Sequence, residues 1–100
     1  MSNYLLAFRG RIDADSPAAQ EAVWANWFQD LGPAILDMGH RVGRFTTVGS
    51  RGVVADGAGT EPLTGYILLT ADSLDSAAEL AKGCPILQGG GKVEVGETFD

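Results

Sequence analysis

Two stretches of the chain are apolar at successive positions, and the rest is mixed or alternates. Residues 3–8 (Asn-Tyr-Leu-Leu-Ala-Phe) and 66–71 (Tyr-Ile-Leu-Leu-Thr-Ala) are rich in aromatic and aliphatic side chains and carry no charge. Short continuous runs of this kind predict strands in the interior of a sheet. Residues 92–96 (Lys-Val-Glu-Val-Gly) alternate strictly, which predicts a strand with one wet face. A further strand is expected at about residues 44–48, where polar and apolar types are mixed.

Helices are predicted between these strands. Ser16 is suited to accept from a free helical N–H, and Pro17 at the first helical position lacks an N–H that would be unsatisfied anyway. That helix runs to about Leu31. Val23, Trp24, Trp27, Phe28 and Leu31 form its apolar face, opposite Gln20, Glu21, Asn26, Gln29 and Asp30. Gly32-Pro33 ends or sharply bends it, with one more helical turn expected over residues 34–38. Residues 50–60, rich in Gly and Ala, read as a hairpin or loop. Val53 and Val54 add a little pairing there before Asp56-Gly57 turns the chain.

The second helix starts at Asp72 and Ser73, with Asp75 adding favourable charge in its first turn. Leu74, Ala77, Ala78 and Ala81 fall at i, i+3, i+4 and i+7 on one face. Lys82 suits the last turn, Gly83 can take a left-handed terminating conformation, and Pro85 blocks continuation. Residues 86–91 read as a glycine-rich loop.

The order β-α-β-β-α-β is the ferredoxin-like arrangement. It predicts one α+β domain over residues 1–100, an antiparallel four-stranded sheet with two helices on one face. The usual strand order puts the first and third strands in the centre, and these are the two continuously apolar ones. Two helices cover one face only, and strand residues alternate faces. Either Tyr4, Leu6 and Phe8 or Leu5 and Ala7 then point away from the helices, joined by Tyr66 and Leu68 or by Ile67 and Leu69. Leaving three such side chains in water forgoes roughly 5–9 kcal/mol, at ~1.5–3 kcal/mol each. A domain of this size has only ~5–15 kcal/mol in total. A second copy of the chain is the simplest cover, so a homodimer through the sheet face is expected.

Composition narrows the function classes. Hydrophobic residues at 45% and charged residues at 20% are those of an ordinary globular domain. A net charge of −6 argues against general nucleic-acid binding, which needs a basic surface. No apolar run approaches the ~20 residues of a membrane span. The first residues lack the basic segment and long apolar core of a signal peptide. The single cysteine, Cys84, permits no internal disulfide and reads as a small buried residue. A cytoplasmic protein is the resulting expectation.

Residues 63–66 (Leu-Thr-Gly-Tyr), 71–75 (Ala-Asp-Ser-Leu-Asp), 81–85 (Ala-Lys-Gly-Cys-Pro) and 91–95 (Gly-Lys-Val-Glu-Val) together resemble the YCII-related (DGPF) family. Upstream, Trp24, Trp27, Leu31-Gly32 and Met38-Gly39 are similar to a subgroup in which a tryptophan-bearing helix precedes a glycine turn. The resemblance implies a dimeric α+β barrel, two ferredoxin-like sheets packed face to face. Some members of that family are thought to use a His–Asp pair. Of the family's Asp-Gly-Pro-Phe motif, Asp56-Gly57 stands here, followed by Ala58-Gly59, and no histidine precedes His40.

Candidate chemistry is sparse. His40, the only histidine, and Asp56 form a catalytic acid–base pair if the chain brings them together. The plainer alternative is a surface histidine and an Asp-Gly turn. Arg41, Arg44 and Arg51 make the one locally positive stretch, suited to a carboxylate or phosphate group, or else to protecting an edge strand. Tyr4, Trp27 and Arg44 are the candidate ligand contacts, with Trp24 and Phe8 beside them; core packing is the alternative for the aromatic residues. One His and one Cys argue against a zinc site in this chain, and no cofactor or metal site is expected. Three functions follow: a lyase or isomerase using His40 and Asp56, a non-catalytic binding or assembly module, and a cofactor-free oxygenase acting on an aromatic compound. The ligand expected in each case is a small organic acid or an aromatic molecule.

Overall fold

The computed structural model describes residues 2–10, 17–55 and 62–99. Strand β1 (Ser2–Arg9) leads to helix α1 (Pro17–Leu31), a 3-10 turn (Gly32–Ala34) and strand β2 (Ile35–Arg41). Strands β3 (Thr47–Gly49) and β4 (Gly52–Ala55) follow, then β5 (Leu63–Ala71), helix α2 (Leu74–Ala81), a second 3-10 turn (Pro85–Gly89) and β6 (Lys92–Glu97). The main sheet has the order β2-β5-β1-β6, antiparallel throughout, and β3 pairs with β4 in a separate ribbon. The architecture is α+β and compatible with the ferredoxin-like arrangement. The two continuously apolar strands are the central ones, as their composition demands.

The alternation of β1 decides which face is dry. Tyr4, Leu6 and Phe8 are buried with Ile67, Leu69 and Ala71 of β5, under Trp27 and Leu31 of α1 and Ala77 and Ala81 of α2. Val93 and Val95 of β6 pair with Phe8 and Leu6 and pack against the same core. The other face carries Leu5 and Ala7 opposite Leu68 and Tyr66. It is more polar than the apolar runs suggest. Arg9 is ion-paired with Glu94, and the Thr64 and Thr70 hydroxyls donate to the Phe8 and Ser2 carbonyls at 3.2 Å.

The edge strand corrects the sequence reading. Strand β2 occupies residues 35–41, where a helical turn was expected, while the strand expected at residues 44–48 contributes only Thr47 and Val48, to β3. After the 3-10 turn, Ile35 is already extended, at φ −71° and ψ 121°. The open hydrogen-bonding edge of β5 then recruits a segment of weak intrinsic preference, an effect no local pattern reveals. Register shifts in β2 before and after Asp37 mark the mismatch. Gly39 absorbs the second. Its φ is +62°, its N–H donates to Asp37 Oδ1 at 2.8 Å, and a Cβ there would lie 1.9 Å from the Tyr66 carbonyl oxygen. Only glycine meets both demands.

The helices depart from expectation in detail. In α2 the Ser73 side chain accepts from the Ser76 N–H at 3.1 Å, an N-cap as predicted. Leu74 and Val23, however, are exposed and leave the buried faces to their neighbours. Gly83 does not adopt a left-handed conformation. Its use is spatial: a Cβ would stand 3.0 Å from the Trp27 indole. Residues 85–89 form a 3-10 turn with Ile86 wholly buried, not an open loop. The Ser16 cap and the Asp56-Gly57 turn lie outside the described residues.

Candidate functional site

A cavity of about 430 Å³ lies between α1 and the β2 side of the sheet. Glu21, Trp24 and Phe28 line it from α1, and Phe8 lines it from β1. Met38, Gly39, His40 and Arg41 contribute from β2, and residues 64–67 from β5. The bulge at Gly39 therefore positions the two ionisable residues that follow it. His40 pairs in register with Tyr66, and their rings meet edge to face at 6.1 Å.

The inner walls are aromatic. Phe8 meets Trp24 at 5.1 Å and Trp27 at 5.8 Å, both edge to face. The two indoles stand 5.8 Å apart at 76°, and Phe28 contacts both. Such edge-on contacts place ring hydrogens against the electron-rich faces of neighbouring rings. The indoles have different hydrogen-bond fates. Trp27 Nε1 donates to the Leu80 carbonyl at 3.3 Å. Trp24 Nε1 is closed off from solvent and has no partner among the described residues, which costs about 1–3 kcal/mol.

Charge sits at the edge of the cavity. Glu21, His40 and Arg41 are all exposed. Among the described residues the ion pairs are Arg9–Glu94 and Lys82–Glu79, so neither Glu21 nor Arg41 is neutralised by a described residue. No group of three or more His, Cys, Asp or Glu among the described residues is arranged to hold a metal ion. No described helix is long and apolar enough to cross a membrane.

The sequence candidates divide. His40 lines the cavity, and Asp56 lies outside the described residues. Tyr4, at 2% exposure, and Trp27, at 5%, belong to the core and are not in the lining. Arg44 and Arg51 are exposed in other parts of the surface, and of the three arginines only Arg41 reaches the cavity. Cys84 is buried, and burial pushes its thiol up to about 11, against a smaller opposing effect of a backbone hydrogen bond at Ile86. It is a packed thiol, not a nucleophile. Glu21, Phe28 and Met38 were not singled out from the sequence as site residues. A signal was present for two of them. Glu21, Trp24 and Phe28 stand at i, i+3 and i+7, a stripe beside the one that Trp27 and Leu31 bury.

No protein-family model matches the chain, and no curated protein matches it.

Proposed function

We propose that this domain binds a small organic molecule in the cavity between α1 and β2, and that two copies associate through the open sheet face. The observation that carries the first part is the cavity itself. Its volume of about 430 Å³ falls within the ~300–1,000 Å³ of small-molecule sites, and its few polar groups among apolar walls follow the same pattern. The second part rests on Leu5, Ala7, Tyr66 and Leu68, which share the face the helices leave open. The resemblance to YCII-related domains supports the second part, since it implies a dimeric α+β barrel. A cytoplasmic setting belongs to the same proposal and rests on the lone, reduced Cys84.

His40 in the lining favours a second reading, acid–base catalysis of the lyase or isomerase type on the bound molecule. In that case His40→Ala abolishes turnover of a substrate but leaves its binding largely intact.

The binding proposal is tested on ¹⁵N-labelled protein titrated with mixtures of small acidic, neutral, aromatic and aliphatic compounds. Saturable shifts of the Gly39, His40 and Gly65 amides are expected with at least one mixture. Mixtures that leave those amides unmoved at millimolar concentration would reject it.

A further inference from the structure

Resting on the reading of the cavity as a ligand site, we infer that its occupant is an aromatic compound bearing a single ionised acid group, whose ring lies against Trp24 and Phe28 and whose acid group meets Arg41. The inner lining offers a tryptophan and two phenylalanines, and π faces recognise other π systems through offset and edge contacts. An aliphatic ligand would gain burial there but not that geometry. Arg41 is the cation of the lining and lacks an ion-pair partner among the described residues, so its planar guanidinium is available to a carboxylate.

Glu21 sets the limit on charge. It lines the cavity from the helix side, likewise unpaired among the described residues. A second acid group on the ligand would meet it as a like charge, which discriminates against diacids by repulsion. The pair therefore specifies one negative charge, placed toward the strand side. The chain as a whole is at −6, so general attraction of anions is not available and Arg41 must act locally.

The test uses 2-naphthoate as probe, with 2-naphthylmethanol, cyclohexanecarboxylate and 2,6-naphthalenedicarboxylate as comparisons, followed by amide and indole N–H resonances of the full chain. Naphthoate should bind about two- to tenfold more tightly than cyclohexanecarboxylate. Arg41→Gln should weaken naphthoate about two- to fivefold, and Glu21→Gln should strengthen it by a similar factor, with naphthylmethanol unmoved by either. Opposite signs from two exposed positions cannot arise from a general folding defect. The Trp24 indole N–H, lacking a partner, should move further than that of Trp27, which is held by Leu80. Equal affinity for the two monoacids, an unweakened diacid, or charge variants that leave naphthoate unchanged would overturn the inference. If the cyclohexane probe saturates the cavity amides and naphthoate does not, the site stands and the aromatic-acid class is lost. If no probe moves those amides, the ligand-site reading falls as well.

Discussion

Replacing Gly39 by alanine should weaken the attachment of β2 to the sheet and with it the strand-side wall of the cavity. Two costs add. The residue sits at φ +62°, where a side chain costs roughly 1–2 kcal/mol. The new Cβ would also stand 1.9 Å from the Tyr66 carbonyl oxygen and 2.7 Å from its carbon. Both atoms are backbone of a central strand, so the edge strand must move, and forced shifts of this kind cost ~1–3 kcal/mol. The total is about 2–5 kcal/mol, a large share of the ~5–15 kcal/mol available to a domain. Urea unfolding followed by tryptophan fluorescence reads this as a midpoint lower by about 0.7 M or more, for an m-value of ~1–3 kcal/mol/M. Amide exchange should accelerate first in β2, leaving the β1–β5 pairing protected. Gly43→Ala is the control. A Cβ there meets nothing within 4 Å and the backbone is not left-handed, so a change within ~0.5 kcal/mol is expected. If Gly39→Ala proves as stable as Gly43→Ala, the account of the bulge is wrong.

Two further outcomes follow. Burial raises the Cys84 thiol from 9.0 to about 11, so between pH 9 and 11 the unfolded chain has lost a proton that the folded chain keeps. Stability should therefore fall with rising pH by about 2–3 kcal/mol across that window, and the fall should be shallower in Cys84→Ala; identical slopes in the two proteins would refute the assignment. Leu68→Asp places a charge on the open sheet face beside Leu5 and should convert a sedimenting dimer to monomer at micromolar concentration while leaving naphthoate binding in place. A wild-type chain that already sediments as a monomer there would remove the dimer proposal.

The parts of the fold that were legible are those where local pattern and tertiary role agree. The uncharged runs of β1 and β5 could only be central, the Val-Glu-Val of β6 could only alternate faces, and Ser73 stood where a cap was needed. Strand β2 was not legible because its partner, not its composition, makes it a strand. Leu36 and Met38, at 56% and 53% exposure, bury too little to leave a period-2 signature, and the residues after Gly32-Pro33 read as one more helical turn. The site was half legible for a related reason. His40 stood out as the only histidine, but the helix periodicity does not say which of two adjacent stripes is sealed by the sheet. Trp27 went to the core and Trp24 to the cavity, a choice fixed by how α1 rests on the strands. The difference between Arg41 and Arg44 was likewise decided by where the strand ends.

The contact between the two indoles gives the molecule an optical handle. Chromophores 5.8 Å apart and 76° out of plane have electronic transitions that mix, and a chiral arrangement of this kind produces a paired signal of opposite sign in far-ultraviolet circular dichroism, where the strong indole transition lies. Trp27 is anchored by a carbonyl while Trp24 is not, so a guest that turns the second ring alters their mutual angle and reshapes that doublet. Cavity occupancy becomes readable in the unlabelled protein, with no dye and no substitution.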